Sequence, residues 1–163
     1  MTRSVSRDSH GRLAKALLLL TLFAALPGLG YAQQRSPEWL ADSSTGCRVW
    51  NPFPQFDETV MWKGPCVDGF VHGRGTLRWF ISGKLFGTDE GEFRRGKLNG
   101  FGVLAFTNGM RFEGNFEDHQ PHGQGTLRTE DGQVYSGQWS HGCFLDGNRK
   151  KAFGVAPEDC EFH

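Results

Sequence analysis

The stretch Phe112-Glu113-Gly114-Asn115-Phe116, followed by Gly123-Gln124-Gly125-Thr126-Leu127 and closed by Asp131-Gly132, decides the fold. In its first half an aromatic residue, a glycine and a second aromatic alternate with polar residues, so in an extended strand the three lie on one face. The second half keeps the period of two, and Asp131-Gly132 supplies a dipeptide suited to positive φ. Together they read as a β-hairpin.

Working outward, the stretch recurs. Its first strand returns as Trp62-Lys63-Gly64-Pro65-Cys66, Asp89-Glu90-Gly91-Glu92-Phe93 and Tyr135-Ser136-Gly137-Gln138-Trp139. Its second strand returns as Gly73-Arg74-Gly75-Thr76-Leu77 and Gly100-Phe101-Gly102-Val103-Leu104. The central glycines Gly64, Gly91, Gly114 and Gly137 are spaced by 27, 23 and 23 residues, three full units and a half. A fixed period of this kind marks a repeat architecture. The expected fold is all-β: a single-layer antiparallel meander of tandem hairpins over residues 60–147, twisted or curled. Asn108-Gly109, Asp131-Gly132 and, less cleanly, Ser82-Gly83 are expected at its turns. Gly100, Gly102, Leu104 and Phe106 are expected to share a face. Glycine inside a strand is intrinsically weak, so aromatic rings from neighbouring strands are expected to roof these positions.

The unit resembles the MORN repeat (membrane occupation and recognition nexus), which reads approximately Tyr-x-Gly-x-Trp, then Gly-x-Gly-x-Leu and Asp-Gly. The resemblance covers about residues 60–147. It implies a scaffold that binds proteins, with lipid contact in some members and no catalysis of its own. The chain departs from the pattern at four places: Asp89 stands where an aromatic is expected, Cys66 replaces the second aromatic of the first unit, and His119 replaces a turn glycine. The first interval is also four residues longer, around Trp79-Phe80-Ile81-Ser82.

With 163 residues the chain has room for one ordinary domain. Its 18 basic and 18 acidic side chains cancel, so no nucleic-acid partner is expected. The 23 glycines are far above the usual share of about 7 %, without a collagen triplet. At the front, Arg3, Arg7, Arg12 and Lys15 precede an apolar run from Ala16 to Leu26, then Pro27, Gly28 and Gly30-Tyr31-Ala32. Eleven apolar residues are too few for a bilayer span of about 20, so residues 1–32 read as a secretory signal cleaved after Ala32. The remainder would carry 14 basic and 17 acidic groups, and its expected place is periplasmic or secreted.

Cys47, Cys66, Cys143 and Cys160 all follow that signal. An even number in an exported chain points to disulfides. Three connectivities are possible; the spacing favours Cys47 with Cys66 and Cys143 with Cys160. A four-thiolate zinc site is the competing reading, weakened by the absence of any Cys-x-x-Cys. Residues 33–59 are expected to be a linker and N-terminal cap. Residues 148–163 should form a C-terminal cap with one helical turn at Ala156-Pro157-Glu158-Asp159-Cys160, because a repeat array leaves edges that need covering.

Motifs for chemistry are few. No nucleophile motif, phosphate loop or His-Glu-x-x-His occurs, and no catalytic residue, metal or cofactor is expected. Glu90 and Glu92 should face water. His119-x-x-His122 could hold a metal if His72 or His141 converged on it, although turn chemistry explains His72 and His122 better. Arg149-Lys150-Lys151 reads as a solvated basic loop. The aromatic ladder, Trp62, Trp79, Phe93, Phe106, Phe112, Phe116, Tyr135 and Trp139, is the best candidate for a partner groove, with self-packing as the competing role. The expected partner is another envelope or secreted protein; anionic lipid or cell-wall glycan is the alternative, and an enzyme of unknown type is the third reading.

Overall fold

The computed structural model describes residues 36–162. The expected signal sequence and its expected cleavage after Ala32 therefore lie outside the described residues. The strands are β1 (Glu38–Ala41), β2 (Arg48–Asn51), β3 (Glu58–Lys63), β4 (Cys66–Val67), β5 (Phe70–Val71), β6 (Gly73–Ile81), β7 (Lys84–Arg94), β8 (Lys97–Phe106), β9 (Arg111–Glu117), β10 (Gln120–Arg128), β11 (Val134–Ser140), β12 (Cys143–Asp146) and β13 (Arg149–Ala152). A 3₁₀ turn, Pro157–Asp159, follows. The fold is all-β. Nine strands form one antiparallel sheet in the order β13-β12-β11-β10-β9-β8-β7-β6-β3, an open meander of consecutive hairpins.

Strand register explains why the motif needs two glycines. The second glycine of each Gly-x-Gly pairs into a row that crosses six strands: Gly75, Gly91, Gly102, Gly114, Gly125 and Gly137. A Cβ there would collide with what roofs it. Trp62 lies over Gly64 and Gly75, and Phe112 over Gly114 and Gly125. In the middle unit the roof is Leu98 rather than a ring: a Cβ on Gly91 would lie 2.8 Å from its Cδ1. The first glycine does something else. Gly73, Gly100 and Gly123 take φ of 65°, 86° and 90°. At Gly100 and Gly123 the register slips, placing a bulge between Gly91 and Phe93 and another between Pro121 and Gly125. Gly100 is therefore exposed and does not share the face of Gly102 and Leu104.

The turns also differ from the sequence expectation. Ser82-Gly83 is a two-residue turn with both φ positive, 49° and 72°. Arg95-Gly96, Asp118-His119 and His141-Gly142 make turns of the same kind at the opposite end of the hairpins. Asn108-Gly109 and Asp131-Gly132 sit in longer loops instead, closed by Phe106 N–H donating to Met110 O at 2.9 Å and Thr129 N–H to Gln133 O at 2.9 Å. Only the glycine of each of these two dipeptides has positive φ.

Both flanks, expected as a linker with an N-terminal cap and as a C-terminal cap, contain strands. β1, β2, β5 and β4 form a second, four-stranded sheet in which β2 and β5 run parallel. Trp50 N–H donates to Gly96 O at 2.9 Å, and Gly96 N–H to Val71 O at 3.0 Å, so this sheet grips the β7–β8 turn. Asp42, 2 % exposed, accepts from Trp62 N–H at 2.7 Å and ties the same sheet to β3. At the other end β13 extends the array to Ala152, and Phe153 folds back to stack on Phe112 with centroids 5.5 Å apart. Cys47 is bonded to Cys66 of β4 within the small sheet, and Cys143 of β12 to Cys160, which ties the C-terminal flank to the end of the array.

Candidate functional site

Reading across the sheet along one row of register partners gives Trp62, Leu77, Asp89, Leu104, Phe112, Leu127 and Tyr135. Ring and leucine alternate throughout, except at Asp89. A carboxyl is far smaller than the ring that fills the corresponding place in the other units. The space it leaves is part of a cavity of about 260 Å³ lined by Trp79, Phe86, Leu104, Phe106, Met110, Pro121 and Phe153, with residues of the segment 51–58 on one side and Gly154 on the other. The cavity thus lies between the two flanks, over the middle unit.

Two buried titratable residues line it, and both are departures from the repeat pattern. Asp89 is 3 % exposed, and its Oδ2 accepts from Trp79 Nε1 at 2.8 Å. Trp79 belongs to the longer first interval, so the insertion and the substitution meet in one hydrogen bond. Burial pushes the Asp89 carboxyl up to about 7, against the opposing pull of the indole N–H. His119 is 8 % exposed and stands at φ 73°, where the comparable turns carry Gly96 and Gly142. A non-glycine residue there is strained by of order 1 kcal/mol or more. Its Nδ1 accepts from Leu98 N–H at 3.2 Å, which leaves the neutral ring's proton on Nε2. Burial first, and the charge of Lys97 second, lower its pKa to about 4, so the ring is neutral at physiological pH.

Neither Asp89 Oδ1 nor His119 Nε2 has a partner among the described residues, and no fully buried side-chain nitrogen or oxygen there lacks one. Both atoms therefore open onto the cavity. The wall presents the Asp89 acceptor and the His119 donor beside apolar side chains and the polar Asn51, Gln55 and Glu58.

The eight rings of the ladder divide. Trp62, Trp79, Phe93, Phe112, Phe116 and Trp139 are core residues, packed by edge contacts such as Trp62 on Phe93 at 4.9 Å and Phe112 on Trp139 at 5.2 Å. Phe106 and Tyr135 are partly buried against that core. No continuous open groove of eight rings results; Trp79 and Phe106 alone among them line the cavity. Phe86, Met110, Phe153 and the 51–58 segment complete it without any motif that marks them in the sequence. The signal for Asp89 and His119 was present, as breaks in the period.

The remaining candidates are placed as follows. Glu90 and Glu92 are exposed. His72 Nδ1 accepts from Arg95 N–H at 3.5 Å, and His122 Nδ1 from His141 N–H at 3.4 Å, so the two act alike at successive turns. His119 is on the cavity and does not join His122. Glu117, His122 and His141 instead gather at the surface, with ligand atoms within 4.8 Å of one another. Arg149-Lys150-Lys151 is a strand rather than a loop; Arg149 and Lys151 lie over the Tyr135 ring at 4.9 and 5.8 Å, and Lys150 lies over Phe162. Lysine on an edge strand is a common guard against pairing with other chains.

Residues 90–111 and 112–134 each match the family model of the MORN repeat. Residues 90–134 are two adjacent MORN repeats. The chain is also 29 % identical over 134 aligned residues to alsin from Homo sapiens and to alsin from Mus musculus, covering 60 % of this chain and 8 % of the alsin length. The chain therefore spans less than a tenth of those relatives. MORN repeats generally serve as interaction or membrane-binding modules, and the matched units contain His119 and adjoin Asp89.

Proposed function

We propose that the chain is a non-catalytic interaction module of the bacterial envelope or secreted space, exported by cleavage after Ala32, and that it receives an apolar side chain of another envelope or secreted protein in the cavity between its flanks. The observation that carries this reading is the cavity itself, with Phe86 at 39 % exposure and Phe106 behind it in ring contact at 5.5 Å. Such a recess beside an exposed aromatic is the usual anchor point of a protein interface. The two disulfides are compatible with an oxidising compartment. The non-catalytic assignment follows the generally binding role of MORN repeats.

The test uses the mature protein and its Phe86→Asp variant. A partner captured from an envelope or secreted fraction is purified and its affinity measured for both. Loss of at least tenfold with Phe86→Asp supports the reading. Equal affinity overturns it, as does binding to anionic liposomes or glycan in place of protein. The mass of the secreted chain tests the cleavage point.

A further inference from the structure

We infer that the cavity over the middle repeat recognises a hydroxyl-bearing aromatic ring, and that in the interaction proposed above this ring is a tyrosine side chain of the partner. The inference rests on that reading for the source of the ring, and on Asp89 and His119 for its chemistry.

Shape comes first. In the row of alternating rings and leucines, Asp89 occupies the place held by Trp62, Phe112 and Tyr135 in the other units. The chain has removed one ring from a ladder of rings and kept its aromatic surroundings, Trp79, Phe86, Phe106 and Phe153. Apolar cavities of about 150 Å³ admit benzene. One of about 260 Å³ admits a substituted ring with the first atoms of its attachment.

Polarity then narrows the ligand. Asp89 Oδ2 is engaged by Trp79 and His119 Nδ1 by Leu98, leaving Oδ1 as an acceptor and Nε2–H as a donor toward the cavity. Both residues are more than nine-tenths buried, so a ligand that pairs with either atom does so where little water competes. A hydroxyl can serve either group, donating to Asp89 or accepting from His119. A carboxylate would meet the Asp89 charge, an ammonium has no acceptor for the His119 proton, and a plain phenyl ring leaves both groups unpaired. Two independent departures from the period supply these two atoms. His119 in addition holds a strained turn position for which glycine is the residue used at the equivalent turns.

The experiment measures binding of p-cresol, the tyrosine side chain with a hydrogen in place of its backbone, against toluene at pH 8, by NMR line shape or calorimetry. Wild type should bind p-cresol at least tenfold more tightly than toluene. Asp89→Phe restores the missing ring and should abolish binding of both while folding normally. His119→Gly installs the residue found at the equivalent turns; it should retain toluene and lose at least fivefold of the preference for p-cresol. Should Asp89→Phe not fold, the His119→Gly comparison decides alone. Equal affinity for the two probes, no binding of either, or an undiminished preference in His119→Gly overturns the inference. If the purified partner is lost with Phe86→Asp yet binds Asp89→Phe as it does wild type, the interaction module stands and the tyrosine site falls. If the partner is indifferent to Phe86→Asp, the interaction reading itself falls.

Discussion

Trp79 Nε1 donates to Asp89 Oδ2 at 2.8 Å, an indole holding a carboxyl that has almost no contact with water. The donor favours the charged form, so its removal should hurt most when Asp89 is ionised. Trp79→Phe is expected to cost about 1–3 kcal/mol at pH 8 and less at pH 5, with the Asp89 pKa driven further up. Urea unfolding at the two pH values checks this; a loss independent of pH would mean that lost packing, rather than the hydrogen bond, dominates.

Asp89 and His119 carry opposite linkage to folding. Between the ordinary carboxyl value of 3.8 and about 7, folded Asp89 keeps a proton that the unfolded chain has released, so stability falls as pH rises. Between about 4 and 6.5, the unfolded chain protonates His119 while the folded one does not, so stability rises with pH. The two slopes, each at most about 1.4 kcal/mol per pH unit, nearly cancel over the shared window. Wild type should therefore be flat from pH 4 to 6.5. Asp89→Asn should become more stable as pH rises through that window and His119→Gly less stable. Parallel profiles for the two variants would refute the assignment.

Gly125 lies directly beneath the Phe112 ring, whereas Gly132 sits in a turn with φ 82° and open space around it. Gly132→Ala meets only the backbone penalty, about 1–2 kcal/mol. Gly125→Ala drives a methyl into the packed Phe112 ring, and should cost more, about 3 kcal/mol. The decisive measurement is a double-mutant cycle with Phe112→Leu: a coupling of about 1 kcal/mol or more identifies the ring as the obstacle, and additivity excludes it.

Each disulfide closes a short loop, with sequence separations of 19 and 17 residues. By the chain-entropy relation, replacing either pair with serine should cost about 3 kcal/mol. For Cys143→Ser with Cys160→Ser, faster amide exchange should be confined at first to β12 and β13, the strands at that edge. Exchange accelerating equally throughout β7–β9 would show that the end of the array is not a separable unit.

How far the sequence could be read depends on whether a residue repeats. Phe112, Gly114 and Gly125 recur with their neighbours at a fixed offset, so their strands and shared face followed from period alone. The bulges at Gly100 and Gly123 did not, since a slip in register leaves the period-two pattern unmarked. Residues 33–59 have no second copy to compare with, and β1 and β2 find their partners through long-range contacts to β5 and the Arg95-Gly96 turn. Asp89 and His119 were visible as exceptions, but only packing brings them to one cavity. The rings pointed to a groove because periodicity shows which residues share a face and not what covers that face. Here Phe153 and the 51–58 segment cover much of it.

In the large sheet, spatial order follows chain order, interrupted only where β4 and β5 leave for the small sheet. Every ladder of the large sheet therefore closes between near neighbours along the polypeptide; only the small sheet waits for more distant partners. Loops this short lose little entropy on closing, so assembly is expected to run like a zipper from whichever hairpin forms first, and to be rapid for a β protein of this length.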